Sequence, residues 1–319
     1  MRGSTFKLNS IFIIHHSSFQ NMNPLFGFDL GGTKIEGAVI KSKDDPSVLA
    51  RFRVPTEKEG GYEHIMGQIA KVLAVLEKEA GVKAEQIGIG TPGSYDPQTG
   101  IHKNSNTTCL NGMPFKLDLA DYLKISVNMA NDANCFAVAE ANIGAVHDVL
   151  PNAGVVFGVI LGTGVGGGVV VNGKVLNGRQ GIAGEWGHNF LDASGGLCYC
   201  GNVGCVETVI SGPALERYYK SLTDNPLKLK DIFQRLNHDE AAMMTKNRLI
   251  HFFGKAIAYI VNILDPDAIV LGGGVGNIQE LYTEGVAEAE KYVFNTRLET
   301  LFLRPKLGDS AGVFGAALL

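Results

Sequence analysis

One short pattern occurs twice in this chain, and it limits the possible folds more than any other feature. An apolar run, Leu25 to Leu30, breaks at Gly31-Gly32-Thr33 and resumes from Lys34 to Lys41. Far downstream, Gly154 to Leu161 breaks at a glycine turn, Gly162 to Gly168, and resumes at Val169 to Val171. Apolar runs flanking a glycine turn read as paired antiparallel strands. A third strand, Val48 to Val54, follows Asp44-Asp45-Pro46 and completes a meander; Val175-Leu176 extends the second copy past Asn172-Gly173. Each copy is followed by helices and more strands. Apolar residues at 65, 66, 69, 70, 72, 73, 75 and 76 predict a helix over 63–80, and 117–123 and 132–144 read as further helices. Gln86 to Gly90 and Ile125 to Ala130 are buried strands. Beyond the second copy, helices are expected near 213–221, 240–264, 279–292 and 311–319, with strands at 268–271 and 301–303. The duplication is one of organisation, not of residue identity. It predicts an α/β protein of two similar lobes with a cleft between them. The first lobe is expected to span 24–129 with the last helix, 310–319, packed back on it; the larger second lobe spans 130–309, with a hinge near 129–131. Residues 1–23 read as a disordered tail or an early start, Met22 being a plausible true one.

Composition removes other classes. Lys and Arg number 28 against 32 Asp and Glu, a net charge of −4, which argues against non-specific nucleic-acid binding. No apolar run approaches the ~20 residues of a membrane helix, and Ile11 to Ile14 is too short for a secretory signal. The expected location is the reducing cytoplasm. Five cysteines, at 109, 135, 198, 200 and 205, do not make a disulfide scaffold. The 41 glycines fall in short clusters between apolar runs, where backbone can approach a ligand closely.

Asp29-Leu30-Gly31-Gly32-Thr33-Lys34 could grip phosphate through backbone N–H groups, the Thr33 hydroxyl and the Lys34 cation, with Asp29 holding Mg²⁺; a plain hairpin turn would also need glycine. The stretch Gly162 to Gly168 contains G-x-G-x-x-G, but a strand follows it, so the dinucleotide-fold reading fails. It reads instead as a second phosphate hairpin, with Thr163 and Gly164 as candidates. Gly272-Gly273-Gly274 is a third turn after a buried strand. Three such turns converge on a nucleotide with several phosphates. Asn131-Asp132-Ala133-Asn134 opens the alanine-rich helix; Asp132 is either an N-cap or a general base, and alone the cap is the simpler reading. His188, Cys198, Cys200 and Cys205 supply one nitrogen and three sulfurs, a closed structural Zn²⁺ set. Zinc would fix one nitrogen of His188 and leave the other for a ligand hydroxyl. Glu185 and Glu207 flank that knot. Asn104-Ser105-Asn106, after the loop Thr91-Pro92-Gly93-Ser94, adds amides of the kind that bind polyols. A lesion in the knot is expected to weaken polyol binding more than nucleotide binding.

Together these motifs, D-L-G-G-T-K, G-T-P-G, N-D-A-N, G-T-G-V-G-G-G, G-E-W-G-H, C-x-C-G-x-x-G-C-x-E and L-G-G-G, resemble the ROK family of bacterial sugar kinases and sugar-sensing repressors, from about Phe26 to the C-terminus. The resemblance implies the actin/hexokinase/Hsp70-type fold of two ribonuclease-H-like lobes. It implies Asp132 as catalytic base, a sugar site of Asn131, Glu185, His188 and Glu207 with Gly93 and Asn106, and structural zinc on His188, Cys198, Cys200 and Cys205. N-S-N-T-T-C-L-N-G at 104–112 with G-E-W-G-H-N at 184–189 is most similar to the fructokinase/mannokinase branch, although nine residues between His188 and Cys198 make that loop short for it. The N-acetylglucosamine kinase branch is also similar, at 160–168. The expected activity is ATP- and Mg²⁺-dependent phosphorylation of a hexose, fructokinase-type at O6. Kinases of N-acetylglucosamine, glucose or N-acetylmannosamine are the alternatives. A repressor is not expected, because the 28 residues before Asp29 hold only two basic residues, Arg2 and Lys7. Family habit implies a homodimer.

Overall fold

The computed structural model describes residues 23–319; residues 1–22, where the tail or early start is expected, lie outside the described residues. The first half contributes β1 (Leu25–Leu30), β2 (Lys34–Ile40), β3 (Val48–Pro55), α1 (Tyr62–Ala80), β4 (Gln86–Thr91), the short strands β5 (Ser94–Tyr95) and β6 (His102–Lys103), α2 (Phe115–Leu123) and β7 (Ser126–Asn131). Then come α3 (Asp132–Asn142), α4 (Ala145–Val149), β8 (Val155–Leu161), β9 (Val165–Val171) and β10 (Lys174–Val175). The remainder is α5 (Val206–Ile210), α6 (Gly212–Thr223), α7 (Leu229–Phe233), α8 (Glu240–Leu264), β11 (Ala268–Gly272), α9 (Gly273–Gly276), α10 (Glu284–Glu290), β12 (Leu301–Leu303) and α11 (Ala311–Ala317).

The two five-stranded sheets have the same topology. The first runs β3-β2-β1-β4-β7 and the second β10-β9-β8-β11-β12. In each, the first three strands are antiparallel and the last two add in parallel. These are two ribonuclease-H-like lobes of the actin/hexokinase/Hsp70 type. Residue identity, which the sequence reading discounts, survives in the opening strands. Phe26-Gly27-Phe28-Asp29-Leu30-Gly31 and Phe157-Gly158-Val159-Ile160-Leu161-Gly162 both read F-G-x-x-L-G, each ahead of its turn.

The shared glycine has a packing reason. A Cβ on Gly158 would stand 2.6 Å from Ala137 Cβ, so only glycine lets α3 lie on β8. On the first sheet, a Cβ on Gly27 would overlap Val313 and Ala317 of α11, and one on Gly88 would overlap Ala316. The two small-residue helices also touch each other, since a Cβ on Gly315 would meet Cys135. So α3 leaves the first sheet and packs on the second, while α11 leaves the second and packs on the first. Their crossing joins the lobes. Each sheet's outer side carries a larger apolar core: α1 packs on β2 and β3, burying Ile65, Ile69, Val72 and Leu76, and α8 buries Phe253, Ile257 and Val261 in the second lobe.

Two helices depart from the sequence reading. The alanine-rich helix stops at Asn142, and α4 restarts after Gly144. Buried Glu140 explains the break: its carboxylate accepts from the backbone N–H groups of Ala145 (2.8 Å), Lys306 (3.1 Å) and Leu307 (2.9 Å). The helix expected over 279–292 is a 3₁₀ turn, Gln279–Tyr282, followed by α10. Tyr282 anchors that turn by donating to the carbonyls of Gly276 (2.9 Å) and Leu271 (3.2 Å).

Candidate active site

The first glycine turn joins β1 to β2. Gly31 N–H donates to Lys34 O (2.9 Å), and Thr56 braces the turn through its hydroxyl to Gly31 O (2.7 Å) and its N–H to Thr33 O (3.0 Å). Gly32 faces open space and Thr33 is exposed at the tip, which suits a ligand lying against the backbone. Lys34 is directed elsewhere. Its Nζ donates to Glu36 (3.0 Å), a buried carboxylate that Arg51 and Arg53 also bind. Burial would raise the Glu36 pKa, but Lys34 and Arg51 outweigh it and hold the carboxyl below its usual range. Asp29, at the end of β1, is pushed up to about 6, first by burial and then by the charge of Asp132.

Asp132 opens α3, but it is not the cap. The Asn131 Oδ1 accepts from Asn134 N–H (2.7 Å), which makes Asn131 the N-cap and Asp132 the first helical residue. The Asp132 Oδ1 accepts from Ala133 N–H (2.8 Å), and among the described residues no side chain bonds it. Its surface is open to solvent while protein surrounds its carboxyl on most sides, so desolvation raises its pKa despite the exposure. The Asn131 amide also donates to Glu185 Oε1 (3.1 Å). Burial raises the Glu185 pKa too; His188 and the Asn131 bond oppose it, and the charges of Asp132 and Glu207 add to it. Asp132, His188 and Glu207 therefore all stand within electrostatic range of Glu185. Asn106 is exposed on a separate loop. Gly93 has φ 83° and a Cβ there would meet Ser105 N at 2.7 Å, so backbone crowding alone requires glycine.

The expected zinc ligands do come together. One donor atom each from His188, Cys198, Cys200 and Cys205 lies within 4.8 Å of the others. Tetrahedral zinc with Zn–S of about 2.3 Å and Zn–N of about 2.0–2.1 Å needs ligand edges of about 3.5–3.8 Å. The distances Cys198 Sγ to His188 Nδ1 and Cys200 Sγ to Cys205 Sγ are both 3.6 Å, so the four residues fit the ion. Nδ1 is then the ligating nitrogen. The other nitrogen, Nε2, is not left open: Tyr199 Oη lies 3.0 Å from it, with the two rings edge-on at 5.1 Å. The Tyr199 hydroxyl is pushed up to about 12 by burial and then by Glu207 and Glu185, which places it beside the same carboxylates. Sequence reasoning passed over Tyr199, although its place between two thiol ligands was a usable signal. Trp186 is buried, edge-on to Phe157 at 5.8 Å, and its Nε1–H donates to Gly166 O (2.9 Å).

In the second turn, Gly162 faces open space and Thr163 is exposed, as at the first turn. Gly164 has a further neighbour. The Glu207 Oε2 accepts from Val165 N–H (2.9 Å), and a Cβ on Gly164 would stand 2.6 Å from that oxygen. The turn is thus bonded to a residue two positions after Cys205, which argues against the turn being independent of the knot. The third glycine cluster is a strand running into the short helix α9. Gly272 packs on the Phe136 ring and Gly273 has φ 82°, while Gly274 faces open space. A groove of about 340 Å³ lined by Tyr218, Met244, Asn247, Arg248 and Phe252 contains none of the candidate residues.

A sequence profile of the ROK family matches residues 25–319. The chain belongs to the ROK family. It is 36% identical over 306 residues to the N-acetyl-D-glucosamine kinase of Histophilus somni (strain 129Pt), spanning 92% of this chain and 98% of that protein. Among solved structures, it is similar to a ROK hexokinase from Thermus thermophilus, with a TM-score of 0.82 and 35% identity over 93% of this chain and 97% of that one. It also matches a ROK family glucokinase from Streptomyces griseus, solved with glucose and AMPPNP, with a TM-score of 0.71 and 28% identity over 92% and 98% of the two chains. These relatives support a sugar kinase and favour the N-acetyl-D-glucosamine kinase alternative over the fructokinase branch. No described helix is long and apolar enough to cross a membrane.

Proposed function

We propose that this ROK protein is an ATP- and Mg²⁺-dependent sugar kinase whose substrate is N-acetyl-D-glucosamine, phosphorylated at O6. The observation that carries the chemistry is the Asp132 carboxylate. It starts α3 at the meeting of the lobes, Asn131 relieves it of capping, and its charge reaches Glu185, which Asn131 bonds. The sugar identity rests on the full-length similarity to the N-acetyl-D-glucosamine kinase. Asp132 accepts the O6 proton as that oxygen attacks the γ-phosphorus in line and ADP leaves. Asn131, Glu185 and Glu207 orient the sugar, and His188 joins them only when a sugar hydroxyl displaces Tyr199 Oη from Nε2. Backbone N–H groups of the turns at 31–34 and 162–164, with Gly274, receive the phosphates. Asp29 is placed to hold Mg²⁺, which would offset charge on the β- and γ-phosphates. Zinc on His188, Cys198, Cys200 and Cys205 fixes the loop that presents Glu185 and Glu207. Glucose is the second reading, favoured by the glucokinase from Streptomyces griseus, which was solved with glucose. A coupled ADP assay across N-acetylglucosamine, N-acetylmannosamine, glucose, mannose and fructose tests this. The expected result is the highest kcat/KM for N-acetylglucosamine; preference for fructose, or turnover of no hexose, would overturn it.

A further inference from the structure

The lobes share a topology but brace their glycine turns differently. In the first, Thr56 follows β3 directly and holds both Gly31 and Thr33. In the second sheet the corresponding strand, β10, is only two residues long. There the bonds come from the segment after the zinc knot. Gly212 N–H donates to Gly162 O (2.9 Å), and the Glu207 carboxylate accepts from Val165 N–H (2.9 Å). Cys205, a knot ligand, is the N-cap residue of α5, which carries Glu207. The chain from 205 to 212 therefore runs from knot to turn in one tight span.

We propose that Glu207 is a positioning residue for the nucleotide: Oε2 braces the second glycine turn while the same carboxylate faces the sugar site. The proposal rests on the kinase reading and adds a role to the sugar contact that the family resemblance implies. Val165 is buried, so its N–H has few other partners if Glu207 withdraws. A Cβ on Gly164 would meet Oε2 at 2.6 Å, so a side chain there would push the carboxylate off Val165 N–H. The other oxygen, Oε1, remains for a sugar hydroxyl. A sugar that orders this carboxylate also orders the turn, and a nucleotide that orders the turn favours the sugar by the same factor.

The test is calorimetric titration of a non-hydrolysable ATP analogue with Mg²⁺, without sugar, on wild type, Glu207→Ala and Glu207→Gln. Ala removes the acceptor and is expected to weaken nucleotide binding by about tenfold or more. Gln keeps a carbonyl that accepts from Val165 N–H and is expected to stay within about threefold of wild type. Amide exchange over 162–168 is expected to rise in the Ala variant alone. Unchanged nucleotide affinity in Glu207→Ala would overturn the brace and leave Glu207 a sugar contact only. Equal losses in Ala and Gln would overturn it as well, since charge rather than the hydrogen bond would then matter. If Glu207→Ala does not fold, Gly164→Ala forces the same contact apart from the turn side; wild-type nucleotide affinity there overturns the proposal. A wild type that binds nucleotide yet phosphorylates no hexose would remove the kinase reading, and the variant titrations would still decide the brace.

Discussion

Neighbouring substitutions at the start of α3 separate a structural role from a chemical one. Asn131→Ala removes the Oδ1 that caps Asn134 N–H and the amide that bonds Glu185. Loss of an N-cap costs about 1 kcal/mol, and loss of a part-buried hydrogen bond costs about another 1 kcal/mol. Asn131→Ala should therefore lower stability by roughly 1–2 kcal/mol, a shift of a few degrees in Tm. Asp132→Asn should not. Among the described residues, the Asp132 side chain accepts from backbone N–H groups at the helix start, chiefly that of Ala133, and from no side chain. Its raised pKa also means that its ionised form is disfavoured in the folded state, a cost that appears as pH rises through the folded pKa, so a neutral amide leaves stability unchanged or slightly higher. Turnover should respond in the opposite sense. Loss of a general base lowers kcat by about 10²–10⁴-fold, equivalent to roughly 3–5 kcal/mol of barrier. Thermal unfolding, sugar titration and the coupled ADP assay on both variants give the comparison. Asp132→Asn retaining turnover within about threefold of wild type, with its fold intact, would refute the base assignment.

Three further outcomes are expected. In the proposed roles Asp29 and Asp132 would both have to be ionised, so the acid limb of kcat/KM should fall near pH 6, above ordinary carboxylates, because burial holds Asp29 at about 6 and raises Asp132; a profile flat down to pH 5 would contradict this. Metal analysis should find one zinc per chain, and a strong chelator should lower affinity for both sugar and nucleotide, since Cys205 and Glu207 lie on one short span; loss confined to the sugar would argue that knot and turn are independent. Gly315→Ala should destabilise the protein by roughly 1–3 kcal/mol or more in urea unfolding, because its methyl meets the Cys135 backbone and neither helix can yield locally.

The sequence carried the architecture because its signals are local. A glycine turn between apolar runs announces a hairpin wherever it occurs, and two copies announce two lobes. The clustering of His188 with the three cysteines was also legible, since three of the four residues fall within eight positions. What escaped was contact across sequence. Nothing in N-D-A-N distinguishes a cap at Asn131 from one at Asp132; only the bond to Asn134 N–H decides it. Lys34 looked like a phosphate cation because Arg51 and Arg53 do not announce that Glu36 is buried beside all three. Gly164 looked like a phosphate contact because the neighbour that also requires glycine there, Glu207, lies 43 positions later. The sugar branch failed for a different reason: it was read from loop motifs near the ligand, which change more freely than the scaffold that positions them.

The fold is duplicated, but its chemistry is not, and the helix crossing explains how. Asp29 and Ile160 occupy matching places in the two F-G-x-x-L-G strands, so one copy keeps a carboxylate where the other is apolar. The helix starts are complementary. α3, which packs on the second sheet, begins with Asp132; α11, which packs on the first, begins with Ala311 and Gly312. Gly312 leaves just enough room for Asp29, since a Cβ there would stand 3.3 Å from its carboxyl carbon. Had both copies kept both acids, four carboxylates would share one junction, and repulsion would keep several protonated near neutral pH. With one from each kind of element, Asp29 and Asp132 lie within electrostatic range, and after burial the charge of Asp132 already raises Asp29. A cation that binds Asp29 would relieve that pair, which is the arrangement a kinase needs when it must hold Mg²⁺ beside a base.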